Sequence, residues 1–333
     1  MRTFELQGAV GIENLKLVER DVPKAGPGEV VVRLKAASLN YRDLATVKYM
    51  GGKLPMVPLS DGSGEIVEVG AGVTRVKVGD KVAPSFFPHW ISGAPRPELL
   101  AALGGPYDGC ASDYLKVSAE GVTIAPKNLS HEEIATLPCA ALTAWRGLFV
   151  EGCLKAGDTV LVQGTGGVSI FALQFAKMAG ARVIVTSSSD EKLERAKKLG
   201  ADEFINYKKT PDWEKEARKL TGGRGVDHVI EVGGADTFPR SIMAVRLGGH
   251  VAVIGLLSGM SKDVNVAAIF SQNVKISGVT VGSRAHVEDM FRAIEQNDIH
   301  PVIDKRFPLE QFPEALRLME GASHFGKIVL NIA

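Results

Sequence analysis

The stretch VLVQGTGGVSIFALQFAKMAG, residues 160–180, constrains the chain more than any other. An apolar run ends in a glycine turn, and Val168, Phe171, Ala172, Phe175 and Ala179 then recur at three- and four-residue steps, the spacing of a helix with one buried face. A buried strand joined so tightly to a helix is a parallel βα unit, which needs further strands beside it and helices over the faces of the sheet. Gly164, Gly166 and Gly167 stand where the backbone turns and can approach a ligand closely. A pyrophosphate is favoured there, because the N-terminus of the helix carries partial positive charge. Ser169 takes the place of the third glycine of the usual fingerprint and is small enough for the helix to pack on the strand. With its strand–turn–helix context and a second strand about twenty residues on, the motif predicts a dinucleotide site.

The following sequence extends the pattern. ARVIVTSSS is a second strand, DEKLERAKKLGA a helix closed by Gly200, and VDHVIEVGG and GHVAVIGLLSG two more apolar strands ending in glycine. Before about Thr123 the texture differs, with VVVRLKAAS, SGEIVEVGAGV and KVGDKVAPSFF as short β-rich runs punctuated by Gly and Pro. That is the pattern of a compact, mostly antiparallel domain. After about Phe270 it returns: VKISGVTVGS is strand-like, FPEALRLMEGA is a short helix and GKIVLNIA a final strand. At 333 residues the chain is too long for one comfortable core. The fold expected is therefore α/β plus β, a doubly wound parallel-sheet domain over 124–270 inserted between 1–123 and 271–333. A cleft between the domains is the default ligand site.

Charge and cysteine use narrow the partners. With 39 basic and 38 acidic residues, the chain has no electrostatic footprint for nucleic acid or acidic lipid. No apolar run approaches the length of a membrane span, and MRTFELQGAVGIENLKL carries no apolar stretch of secretory type. Cys110, Cys139 and Cys153 are odd in number and far from CxxC spacing, which suits a reduced cytoplasm. A small-molecule substrate is the expected partner. For the cofactor, an NAD site generally has Asp or Glu at the end of the second strand. In VIVTSSSDEK, Ser187 and Ser188 occupy that turn, and Asp190 comes later as a cap for the next helix. Hydroxyls together with Lys192 suit a 2′-phosphate, so NADP(H) is expected.

LNYRDL, PLSDGSGEIVEVGAGV, VGDKV, LPCAALTAWRGL, VLVQGTGGV, KKLGADEFINY and GKIVL run in this order over nearly the whole chain. Through them the chain resembles the medium-chain dehydrogenase/reductase superfamily, and most closely its zinc-free quinone oxidoreductase-like (zeta-crystallin-like) branch. The resemblance implies a GroES-like β-barrel catalytic domain, an inserted Rossmann domain, a nicotinamide cofactor and a dimer or tetramer. It also matches Lys192 and Tyr207 of FINY to positions that contact the 2′-phosphate of NADPH. The cofactor residues expected are thus Gly164, Thr165, Gly166, Gly167, Val168, Ser187, Ser188, Lys192, Tyr207, Gly255 and Leu256.

Zinc members of the superfamily use a Cys after a strand, a His–Glu pair in a Gly-rich turn and a later Cys. By the resemblance, Asn40 stands at the first of these positions and is followed by Tyr41, Ser60 and Asp61 stand at the pair, and Cys139 alone survives. One thiolate cannot build a site that needs about three protein ligands and an open position, so no zinc is expected. Cys139 then reads as a small buried hydrophobe. PSFFPHWISGAPRPELLAALGGPYDG replaces the cysteine-bearing lobe, and its Phe86, Phe87, Trp90 and Tyr107 suit either a pocket wall or a core. Without a Lewis acid, alcohol oxidation loses the group that lowers the pKa of the alcohol. Hydride addition to an electron-poor C=C or a quinone needs only hydrogen-bond donors at the enolate oxygen. Asn40 and Tyr41 supply donors, Tyr41 can deliver a proton, and Asp43 orients neighbours, binds loop amides or caps a turn. These three are the expected catalytic residues, and Arg42 is assigned no role. The expected activity is NADPH-dependent reduction of a quinone or enone. The alternatives are an alcohol or aldehyde dehydrogenase and a non-catalytic nucleotide-binding protein.

Overall fold

The computed structural model describes residues 1–261 and 263–332, and the chain divides into two compact units, Met1–Leu142 with Val281–Ala333, and Thr143–Thr280. In the first unit, strand β1 (Glu29–Ser38) leads through Leu39 and Asn40 into a short helix, α1 (Tyr41–Ala45). Strands β2 (Asp61–Val69), β3 (Lys81–Pro84), β4 (Tyr114–Ser118) and β5 (Val122–Ile124) follow. Val30, Val31, Val32 and Leu34 are all buried, so β1 is an inner strand covered on both faces, as its unbroken VVV suggests. It pairs antiparallel with β2, and the register Ser38↔Asp61 sets the end of one strand beside the start of the other.

The second unit is the parallel sheet. Its elements are β6 (Thr159–Gln163), α2 (Gly167–Met178), β7 (Arg182–Ser187), α3 (Asp190–Lys198), β8 (Glu203–Asn206), β9 (Val226–Glu231), α4 (Phe238–Ala244), β10 (Val245–Val253), α5 (Val266–Gln272) and β11 (Lys275–Gly278). The strand order β8-β7-β6-β9-β10-β11 reverses between β6 and β9, the switch point at which doubly wound sheets bind dinucleotides. Every residue of β6 and β9 is buried. Helix α2 buries Ser169, Ile170, Phe171, Ala172, Leu173, Phe175 and Ala176, a wider face than the spaced apolar positions alone mark, while Val168 and Ala179 are half-buried.

The chain then returns to the first unit with β12 (Ile303–Pro308) and β13 (Lys327–Asn331). The seven-stranded sheet has the order β12-β13-β1-β2-β3-β5, with β4 also on β1. It is antiparallel except at β12–β13. Pairing of β13 with β1 puts Val329 opposite Ser38, so Lys327, two residues earlier, comes opposite Asn40.

Two boundaries differ from the sequence reading. Residues 124–142 stay with the first unit, where Ala135 packs on Ala36 and Val329. The strand in VKISGVTVGS, read as part of the closing segment, is β11, the sixth strand of the parallel sheet. This edge strand is exposed along most of its length and lacks the continuous apolar run that marks an inner parallel strand, so its texture resembles the other unit. The three cysteines are free thiols, Cys110 and Cys139 buried and Cys153 exposed. Among the described residues no helix is long and apolar enough to cross a membrane.

Candidate active site

The end of β1 builds one cluster. Asn40 caps α1, and its backbone N–H donates to Asp43 Oδ2 at 2.9 Å. The other oxygen of Asp43 accepts from the Ser60 N–H at 3.2 Å and from the Arg42 guanidinium at 3.0 Å. Asp43 is buried and its oxygens accept from both loops, so it clamps the two together. Arg42, given no role on sequence, also donates to the carbonyls of Leu103 and Gly104, both at 3.1 Å, and lies 5.3 Å from the centre of the Phe86 ring. Just before Ser60, the buried Leu59 sits at φ 72°, a left-handed conformation that costs a bulky L-residue roughly 1–2 kcal/mol. Such strain persists where the surroundings over-determine it, and here it turns the chain so that Ser60 and Asp61 enter the cluster.

Lys327 completes the arrangement. Its buried Nζ donates to Leu39 O at 2.7 Å and to Asn40 Oδ1 at 2.6 Å. An ammonium only donates, so this contact fixes which end of the Asn40 amide is oxygen. Asn40 Nδ2 reaches Ser60 Oγ at a long 3.4 Å, Ser60 Oγ donates to Asp61 Oδ1 at 2.9 Å, and the Cys139 N–H donates to Asp61 Oδ2 at 3.1 Å. Burial pushes the Asp61 carboxyl up to about 6; Lys327 opposes the shift and Asp43 adds to it. Burial likewise lowers the pKa of Lys327, against the pull of Asp61, and raises the Cys139 thiol. The outcome is an amide whose carbonyl is gripped by a buried cation and whose NH₂ is only loosely engaged. Tyr41 is 52% exposed, and among the described residues no hydrogen bond ties its hydroxyl to this cluster. Sequence reasoning missed Lys327; the available signal was a lysine heading the apolar run KIVL.

Asn40, Ser60, Asp61 and Cys139 do come together, yet as a donor set they do not fit zinc. They offer an amide, a hydroxyl, one carboxylate and one thiol, and Lys327 places a positive charge on the Asn40 oxygen. Among the described residues there is no group of three or more His, Cys, Asp and Glu able to hold a metal ion. Phe86, Phe87 and Trp90 are buried and packed on one another, with the first two rings edge to face at 4.6 Å, and Trp90 Nε1 donates to Gly93 O at 3.0 Å. They are core; Tyr107, edge-on to His89 at 5.5 Å, is exposed.

The glycine turn of the second unit fits a dinucleotide. Gly164 has φ 70°, and a Cβ added at Gly164 or Gly166 would meet no atom within 4 Å, so the turn is open toward a ligand. Gly166 caps α2 without a side-chain hydrogen bond, leaving first-turn N–H groups available to an anion. Thr165 is buried and Val168 half-buried. Ser169, in the place of a glycine, donates its hydroxyl to Gln163 O at 2.7 Å and so ties helix to strand. At the end of β7, Ser187 Oγ accepts from the Ser189 N–H at 3.2 Å, and Ser189 caps α3 through the Lys192 N–H at 3.3 Å. Asp190, expected as the cap, is instead the first helical residue, and Asn206 Nδ2 at 2.7 Å and Lys209 hold its carboxylate. Ser188 and Lys192 are half-buried beside this turn, and Tyr207 donates its N–H to Ser187 O at 3.1 Å with its ring partly exposed. Beyond β10, a Cβ on Gly255 would lie 2.1 Å from Val232 O, so only glycine fits; Leu256 next to it is exposed.

Residues 26–127 match the alcohol dehydrogenase GroES-like domain, and residues 167–296 match the zinc-binding dehydrogenase family. A zinc-type alcohol dehydrogenase-like protein of Schizosaccharomyces pombe (strain 972) is 51% identical, over 97% of this chain and 96% of its own. An acryloyl-coenzyme A reductase of Metallosphaera sedula is 31% identical, over 93% of this chain and 94% of its own. The solved structure of an NAD-dependent alcohol dehydrogenase superposes with a TM-score of 0.91 at 38% identity, covering 100% of both chains. A mycobacterial protein complexed with NADPH superposes with a TM-score of 0.84 at 27% identity, also over 100% of both.

Proposed function

Because the chain belongs to the medium-chain dehydrogenase/reductase superfamily, as an alcohol dehydrogenase-like oxidoreductase with a GroES-like unit and a Rossmann unit, we propose that it is a zinc-independent, NADPH-dependent reductase of enones or quinones. One observation carries this reading: the positions matched to zinc ligands, Asn40, Ser60, Asp61 and Cys139, are joined by hydrogen bonds, and Lys327, from outside them, donates to the Asn40 oxygen. A reduced nicotinamide supplies a hydride when bound. The protein must then stabilise an oxygen that gains negative charge, and Asn40 Nδ2 is the donor built for it. The ammonium on its carbonyl fixes the amide and strengthens its N–H groups as donors, since linked hydrogen bonds polarise one another. A donor placed beforehand in this way is worth roughly 10²–10³ in rate. Tyr41, half in solvent, supplies the proton. Asp43 and Arg42 hold the loops in position. The name of the Metallosphaera relative, a reductase of an activated C=C, supports this substrate class.

For the cofactor, Ser187, Ser188, Lys192 and Tyr207 receive the 2′-phosphate, while Asn206 and Lys209 engage the Asp190 carboxylate. Gly164, Thr165, Gly166, Gly167 and Val168 receive the pyrophosphate, with Gly255 and Leu256 beyond it. The NADPH-bound mycobacterial neighbour supports this reading, and the NAD-dependent neighbour marks the alternative. Purified protein, assayed with NADPH and NADH against enones, quinones, aldehydes and alcohols, should consume NADPH with the first two classes and keep its activity in a chelator. Tighter binding of NADH would overturn the cofactor choice; stoichiometric zinc with activity lost to the chelator would overturn the mechanism.

A homo-oligomer, dimer or tetramer, belongs to the same proposal. Strand β11 is a sheet edge, and α5, which leads into it, exposes Val266 and Phe270 at 71% and 82%. An unpaired edge beside exposed apolar side chains is a surface for a second copy. Light scattering should give a multimer that Phe270→Asp weakens, and a monomeric wild type would remove the idea.

A further inference from the structure

Glu231 ends β9 and Gln163 ends β6, the two strands that flank the reversal of strand order. The Glu231 side chain is fully buried. Its Oε1 accepts from the N–H groups of Gly233 at 2.8 Å and Gly234 at 3.0 Å and from the Thr237 hydroxyl at 2.6 Å. Its Oε2 accepts from Gln163 Nε2 at 2.7 Å and from the Ser241 hydroxyl. The backbone carbonyl of the same residue accepts from the N–H groups of Ile254 at 2.9 Å and Gly255 at 3.2 Å. Gln163 Oε1 takes the N–H groups of Val232 and Gly233 at 3.3 and 3.2 Å. The two loops are also fastened to each other, with the Ser258 N–H on Gly233 O at 2.7 Å and the Asp236 N–H on Ser258 Oγ at 2.9 Å.

Neutral donors therefore face both oxygens of a buried carboxylate. Burying such a group is costly unless its hydrogen bonds are complete. A side chain that accepts at both ends is required: glutamine would turn its NH₂ toward two donors or three, whichever way it lay. The loops so held, 232–237 and 254–259, follow the strands of the second half of the sheet. In a doubly wound fold the dinucleotide lies across the switch point, adenosine on one half and the other nucleoside on the opposite half. None of the Glu231 partners lies in 187–207, the adenosine side.

We propose that Glu231 is a positioning residue that sets the loops of the nicotinamide half against the phosphate turn, through Gln163. The proposal rests on the dinucleotide reading given above. Calorimetric titration of wild type and Glu231→Gln with NADPH and with adenosine 2′,5′-bisphosphate tests it. NADPH should bind about tenfold more weakly to the variant, the scale of one or two lost hydrogen bonds, while the fragment stays within about twofold. Equal weakening of both ligands, or of neither, overturns the proposal. Should Glu231→Gln fail to fold, Thr237→Val removes one of the five donors and should weaken NADPH severalfold without touching the fragment; the same two outcomes count against it. If wild type prefers NADH, the 2′-phosphate assignment fails and NADH with ADP become the ligand pair, on which Glu231 is judged by the same ratio.

Discussion

Lys327→Met is expected to lower turnover by about two orders of magnitude and stability by about 3 kcal/mol, with little change in NADPH affinity. Methionine fills nearly the same volume, so the loss is one of charge and donors and not of packing. Leu39 O and Asn40 Oδ1 are left without the ammonium they accept from, at about 1–3 kcal/mol for each buried group so stranded. Asp61, already pushed up by burial, loses the cation that opposes that shift. The gain that limits the total is the desolvation of Lys327 itself, which burial makes unfavourable. Denaturant unfolding and steady-state kinetics measure the two effects separately. A variant that is less stable but turns over at the wild-type rate would reduce Lys327 to a structural part.

Asn40→Ala is the second large effect: turnover should fall about 10²–10³-fold while NADPH binding barely changes. The asparagine belongs to the first unit and the phosphate turn to the second, so affinity and rate report on different parts of the chain. Tyr41→Phe should give a smaller fall, because water can replace an exposed proton donor. The pH dependence follows from Asp61. Its folded pKa, about 6, lies above the usual 3.8, so the stability it contributes is present below pH 4 and lost as pH rises through 6. Activity should run the other way. The carboxylate accepts the Ser60 hydroxyl and leaves Ser60 Oγ as an acceptor toward Asn40; protonation of Asp61 disrupts that order. Turnover should rise through pH 6 in wild type and lose this step in Asp61→Asn. A flat wild-type profile between about pH 5 and 8 would contradict the role given to Asp61.

What could be read from the sequence was local. The glycine turn and its helix announce themselves within a few residues, because strand, turn and amphipathic period lie side by side. The short edge strand β11 did not, since its environment and not its composition makes it parallel. Asp190 was read as a helix cap, whereas Ser189 performs that task one residue earlier, within the usual uncertainty of a helix start. Asn40 was legible as a polar residue at a strand end. Its partner was not, because the pairing of β13 with β1 spans 287 residues between Asn40 and Lys327. The aromatics of the long loop were ambiguous for a similar reason: only packing decides between wall and core.

The distance between Asn40 and Lys327 also orders events on the ribosome. The whole second unit is synthesised between the two halves of the first, and a nascent chain can finish the parallel sheet while β1 still waits for β13. Until then Ala36–Ser38 offers unpaired backbone along an edge, a surface for holdase chaperones or for misassociation. Closing so long a loop is a late and slow step. The lysine that grips Asn40 arrives with that closing strand, so the donor we assign to Asn40 is set only when the fold is finished. A stalled chain therefore holds the second unit without the contact between Lys327 and Asn40.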